Sequence, residues 1–163
     1  MLAVRRPTDF AGALRVLSAH DVRFVLVGGV AAVLEGAPVT TFDLDIVHDR
    51  RRQNLERLEG ALSALDAHYR ERPDIAPRRE DLAGAGHHLL MTNCGPVDVL
   101  GAIGAGREYD SLLPLTVIIE IAGTCVRVLR LEGIIAAKEE VAGEKDRLVL
   151  PILRATLERK RMV

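Results

Sequence analysis

Apolar and polar positions along the chain fall into short blocks of two kinds. Some repeat every three to four residues and predict helices; others run continuously or alternate and predict strands. Phe10, Leu14 and Leu17 share one face of a helix that Thr8 could cap, running to about His20. Phe24 to Val27 is a continuous apolar run ending at Gly28-Gly29, which predicts a buried strand. Val30 to Glu35 predicts a short helix stopped by Gly36 and Pro38. Thr40 to Val47 alternates, with Phe42, Leu44 and Ile46 on one face and Thr41, Asp43 and Asp45 on the other. Asp49 could cap a helix over about Arg50 to Ala67, with Leu55, Leu58, Leu62 and Leu65 as its stripe.

The middle of the chain, Tyr69 to Gly86, is polar and carries Pro73, Pro77, Gly84 and Gly86, so it reads as loop with one short helical turn. Two hairpins follow. One joins His88–Thr92 to Val97–Leu100 through Asn93-Cys94-Gly95-Pro96, and the other joins Leu115–Ile121 to Cys125–Leu129 through Ala122-Gly123. Leu131 to Val141 and Arg147 to about Arg159 predict two closing helices, with Pro151 kinking the second or delaying its start. This order predicts an α/β (α+β) domain with a mixed sheet, not a regular βαβ repeat. One domain over residues 1–163 is expected, with a core over about 8–130 and a helical segment over about 131–163.

Composition narrows the picture. Hydrophobic residues make up 48% of the chain and aromatics 3%, with no Trp, so the core is Leu, Val, Ile and Ala, and base-stacking platforms are disfavoured. A net charge of −1 disfavours binding to nucleic acid by phosphate neutralisation alone. Arginines do cluster at Arg50–Arg52, at Arg70, Arg72, Arg78 and Arg79, and at Arg159–Arg161; they suit either solvated helix ends or a local basic face. Cys94 and Cys125 form no disulfide pattern, which fits a reducing cytoplasm, and they read as core residues. Met1 to Arg6 lacks the apolar run of a signal peptide, and no apolar stretch reaches a membrane-spanning length. Neither a Walker motif nor GxGxxG is present.

Three features carry candidate chemistry. Gly28-Gly29 between a strand and a helix lets backbone approach a phosphate, although the same pair also makes a tight turn. Asp43 and Asp45, two steps apart on one strand face and roughly 6–7 Å apart at Cα, suit a hard cation such as Mg²⁺ or Mn²⁺. Taken alone, such a pair better suits the solvated outer face of an edge strand. Asp98, flanked by Val97, Val99 and Leu100, needs a partner to be buried: a shared metal ion, or a salt bridge to a basic residue. His87 and His88 have no partner at metal-ligand spacing and read as strand-edge surface residues.

Gly28-Gly29, then Asp43-Leu44-Asp45, then Asp98 on a later strand resembles the DNA polymerase beta-like nucleotidyltransferase superfamily over about residues 22–100. Leu131 to Lys138 followed by Glu144-Lys145-Asp146-Arg147 looks like the ending of small bacterial nucleotidyltransferases, among them the AbiEii-like toxins of type IV toxin–antitoxin systems. The resemblance implies nucleotidyl transfer from a nucleoside triphosphate to an acceptor hydroxyl on a tRNA, a protein or a small molecule, with release of pyrophosphate. It implies Mg²⁺ or Mn²⁺ held by Asp43, Asp45 and Asp98, the ions about 3.5–4 Å apart in a two-metal site. It implies phosphate contacts from Gly28, Gly29 and Lys138, with Asp146 nearby, and a cognate antitoxin as a partner. Asp98 would help to deprotonate the acceptor. A catalytically silent nucleotide-binding or toxin–antitoxin partner protein of the same fold is the alternative. On its own, Lys138 also suits a charged patch with Glu139 and Glu140, and Asp146 suits a helix cap. The chain departs from the pattern twice: Pro38-Val39-Thr40-Thr41 holds no Arg before the acidic pair, and Gly29 stands where many relatives have Ser. The missing Arg leaves the triphosphate charge less well neutralised.

Overall fold

The computed structural model describes residues 7–163; the expectation that residues 1–6 form no leader peptide lies outside them. The elements run α1 (Phe10–Ala19), β1 (Phe24–Val27), α2 (Gly28–Leu34), β2 (Leu44–His48), α3 (Arg52–Ala64), β3 (His68–Tyr69), α4 (Arg79–Leu82), β4 (His87–Thr92), β5 (Gly95–Leu100), α5 (Tyr109–Leu112), β6 (Thr116–Ile121), β7 (Thr124–Leu129), α6 (Leu131–Glu140) and α7 (Glu144–Arg161). The seven strands form one sheet in the order β3-β4-β5-β2-β1-β7-β6. The expected mixed α/β architecture is what forms. β2 runs antiparallel to β1 and parallel to β5, and β1 runs parallel to β7.

Every residue of β1 is buried, as its unbroken apolar run requires of a strand covered on both faces. Leu44 and Ile46 of β2 are fully buried, while Asp45 between them turns to the opposite face. Leu55, Leu58 and Leu62 of α3 join the same core as Leu14 and Leu17 of α1. α1 packs on α3 and β7, α2 packs on β1, β2 and α6, and α6 packs on α7. Among the described residues no helix is long and apolar enough to cross a membrane.

Several local expectations are corrected. Asp9, not Thr8, caps α1: its carboxylate accepts the Gly12 N–H at 2.9 Å. Thr8 instead donates to the Phe42 carbonyl at 2.9 Å. β2 begins at Leu44, so the alternation read from Thr40 onward overreached, and Phe42 is 73% exposed instead of facing the core. Asp49 does not cap α3. It accepts the Arg51 N–H at 3.0 Å, and Arg51 holds the cap position without a side-chain capping bond. α7 starts at Glu144, three residues before the expected start, and Pro151 lies inside it. Asp146 is therefore in its first turn, where it accepts the Gly143 N–H at 3.3 Å. Cys125 is exposed and Cys94 half-buried, because β7 turns Cys125 outward next to the hairpin turn. His88 is half-buried, with Nδ1 2.9 Å from the Tyr69 hydroxyl.

Candidate active site

Strand register brings the acidic residues together. Asp45 is paired with Val27 on one side and with Asp98 on the other. Cross-strand neighbours share a face, so the two carboxylates project side by side. Asp43 lies one step before β2 yet still acts on Asp45 electrostatically. A cleft of about 260 Å³ opens over this face, and its walls include Gly28, Asp45, Asp98, Lys138 and Asp146. Five of the seven residues singled out from the sequence thus line one cleft. Asp43 and Gly29 are not among its wall residues, but both act on the charge of Asp45. Leu89, Ile103 and Ile134 supply apolar wall, and the exposed His87 also reaches the cleft, its Nε2 2.9 Å from the Ala102 carbonyl.

The strand–helix junction is built against Asp45. Gly28 has φ +69°, and a Cβ placed there would come within 2.0 Å of Asp45 Oδ2. Only glycine takes this backbone and this approach without strain. The Gly29 N–H favours the charged form of the Asp45 carboxylate. A Cβ on Gly29 would meet Thr41 Oγ1 at 2.6 Å, and the Thr41 hydroxyl in turn donates to the Asp43 carbonyl at 3.2 Å. Gly28 is thus seated against Asp45 and Gly29 against Thr41.

Burial, and after it the neighbouring charge of Asp43, pushes the Asp45 carboxyl up from 3.8 to about 6; Lys138, Arg70 and the Gly29 N–H act against that rise. Folding therefore favours protonated Asp45. In the metal-free protein this group's contribution is most favourable below about pH 4 and is lost as the pH rises through about 6. Asp45→Asn should accordingly raise the melting temperature of the metal-free protein near neutral pH by an amount of order 1–2 kcal/mol, roughly 2–8 °C for a chain of this size. Melting curves in chelator from pH 4 to 8 test this; parallel curves for parent and variant would show that Asp45 carries no such strain.

Lys138 pairs with Asp146 at 3.1 Å, not with Glu139 or Glu140, and both lie on the cleft wall. Asp98 has the salt bridge that its apolar flanks call for. Its partner is Arg70, whose other Nη nitrogen lies 3.8 Å from Asp43. Sequence reasoning missed this role for Arg70, which sits at the start of the polar stretch read as loop. No periodicity marks it, and the pairing of β3 with β4 is what brings it to Asp98.

Whether the residues suit a metal ion is a matter of donor chemistry. Among the described residues no three His, Cys, Asp or Glu side chains are already gathered around one point. Asp45 and Asp43 nevertheless repel each other in a partly desolvated place, and a hard cation relieves that repulsion. Asp98 is the third oxygen donor on the same face once Arg70 yields it. The set fits Mg²⁺ or Mn²⁺.

Solved structures share the architecture. A Thermotoga maritima protein (TM1012) described as a candidate nucleotidyltransferase aligns over 93% of this chain and 89% of its own, at 18% identity and a TM-score of 0.51. ANT(2")-Ia, solved in complex with adenylyl-2"-tobramycin, aligns over 91% of this chain and 87% of its own, at 16% identity and a TM-score of 0.56. This is the nucleotidyltransferase fold. At such identities the likeness speaks for the fold alone. Neither a protein-family model nor a curated protein matches the sequence.

Proposed function

We propose that the chain is a metal-dependent nucleotidyltransferase. The observation that carries this reading is the register of Asp45 with Asp98 beside the Gly28-Gly29 junction, in a cleft shared with Lys138 and Asp146. An acceptor hydroxyl attacks the α-phosphorus of a nucleoside triphosphate, the new P–O bond forms, and the bond to pyrophosphate breaks. Asp43, Asp45 and Asp98 would hold Mg²⁺ or Mn²⁺, which when bound neutralises the phosphates and acidifies the acceptor hydroxyl. Asp98 accepts the hydroxyl proton. Gly28 and Gly29 keep side-chain bulk away from the phosphates, and Lys138 contributes a positive point charge to them. The acceptor is a tRNA end, a protein hydroxyl or a small polyhydroxyl compound of the aminoglycoside kind.

The segment Leu131–Lys138 and the following Asp146 support a place in the AbiEii-like branch, since Lys138 and Asp146 reach the same cleft as the acidic residues. A cognate antitoxin and a toxin–antitoxin role follow from that placement. One observation favours the catalytically silent alternative: the ion pair of Arg70 with Asp98.

Thermal-shift measurements with each of the four triphosphates, with and without Mg²⁺ or Mn²⁺, test the reading. At a hundredfold excess over the dissociation constant, binding should add about 2.7 kcal/mol of stability. That gain should require the metal and should shrink in Asp43→Asn and Asp45→Asn, each of which should weaken binding at least about tenfold. No shift with any triphosphate would sink the proposal. Incubating the protein with α-labelled triphosphates and cell extract, then identifying labelled products by mass spectrometry, distinguishes an active enzyme from a silent binder and names the acceptor.

A further inference from the structure

Arg70 is tied down at one end and engaged at the other. Its backbone N–H donates to the Leu89 carbonyl at 3.1 Å, and its Nε donates to the Leu90 carbonyl at 3.1 Å. Both bonds fasten it to β4, the strand beside β5. From that anchor the two Nη nitrogens project to Asp98 and toward Asp43. The guanidinium also lowers the cost of charge on Asp45. Its side chain is 26% exposed and that of Asp98 is 15% exposed, so the contact is sheltered and not a loose surface pair.

A guanidinium and a divalent ion cannot occupy the same carboxylate oxygen. Lys138, the lysine on the cleft wall, is engaged with Asp146, so it is not free to take Asp98. We infer that Arg70 is a resident counter-ion of the metal-free cleft, which competes with the metal for Asp98 and, once displaced, becomes the guanidinium that binds the triphosphate. The Nε bond to Leu90 would keep the displaced fork beside the acidic residues. There its Nη donors face the phosphates, for which a planar fork is the matching donor geometry. This inference rests on the metal-dependent reading above.

The test separates metal from phosphate. In Arg70→Gln, Mn²⁺ binding without nucleotide, followed by the electron paramagnetic resonance of free Mn²⁺, should tighten at least about threefold, because the competing positive charge is gone. In the same variant, affinity for inorganic tripolyphosphate at saturating Mg²⁺, measured by calorimetry, should fall at least about fivefold, because the fork is gone. Opposite signs in the two assays are the expected result. Arg70→Lys keeps the charge and loses the fork, so Mn²⁺ affinity should stay within about twofold while tripolyphosphate weakens at least about threefold. Should Arg70→Gln fail to fold, the lysine variant decides alone: unchanged tripolyphosphate affinity overturns the inference. Unchanged or weaker Mn²⁺ binding in folded Arg70→Gln also overturns it, as does unchanged tripolyphosphate affinity there. If the parent binds Mn²⁺ and Asp45→Asn abolishes that binding, the metal reading stands even when Arg70→Gln overturns this inference. A parent that binds no Mn²⁺ removes both.

Discussion

Asp98→Asn should cut nucleotidyl transfer by about a hundredfold or more while leaving triphosphate affinity within a few-fold of the parent. Asn fills the same space and keeps an oxygen acceptor, but it loses the charge that holds a metal and the basicity that takes a proton. General-base assistance alone is typically worth about 10²–10⁴ in rate. Asp43 and Asp45 remain to hold the phosphate-side metal, so binding survives. The pairing with Arg70 adds a structural effect. The guanidinium keeps a neutral acceptor at position 98 and its approach to Asp43, so stability should fall by only about 1–2 kcal/mol. Combining Asp98→Asn with Arg70→Gln removes the stranded cation and should recover much of that loss without restoring transfer. Transfer is followed as label from an α-labelled triphosphate, and stability by thermal melting. Full transfer in the single variant would make Asp98 an ion-pair residue only.

Gly28→Ala should damage both the fold and the site. The backbone there is left-handed at φ +69°, where a side chain costs about 1–2 kcal/mol. The added methyl would also lie 2.0 Å from Asp45 Oδ2, so the carboxylate must move. The expected result is a melting temperature lower by roughly 2–4 °C per kcal/mol lost, together with metal-dependent triphosphate binding weakened more than about tenfold in the folded protein. Gly29 behaves differently. Its obstruction is the Thr41 side chain, so Gly29→Val strains the protein's own packing whether or not a phosphate is near. Its weakened binding would therefore say little about phosphate contact. Gly29→Ala combined with Thr41→Gly clears the collision, whereas no second substitution relieves Gly28→Ala without removing Asp45. Unchanged melting and affinity in Gly28→Ala would show that the junction relaxes freely.

The sheet was readable because its strands announce themselves locally. The apolar run of β1, the alternation around Asp45 and the turn residues of the two hairpins each follow from backbone geometry within a few residues. The face of Asp45 followed too, since alternation decides which face a strand residue occupies, whereas Asp98 stood out by its apolar flanks and by the resemblance. What stayed hidden depends on long-range pairing. β3 has only two residues, too few for a period, yet its register with β4 decides that Arg70 meets Asp98. Phe42 shows the opposite error: alternation continued on paper past the point where β2 begins, and the residue is exposed. Lys138 is a third case, because its partner Asp146 is fixed by how α6 packs on α7, which neither helix encodes alone.

The parallel pairing of β2 with β5 also has a bearing on how the protein comes into being. Residues 49–94 lie between the two strands, so Asp45 and Asp98 meet only after that whole segment has been looped out. Closing such a loop costs entropy before any contact rewards it, and non-local pairings of this kind belong to the slower class of folding events. Lys138 arrives later still along the chain. A ribosome-bound fragment ending before β5 therefore has its glycine junction and its first two carboxylates but no shared cleft. The proposed active site is among the last parts of the fold to assemble as the chain is made.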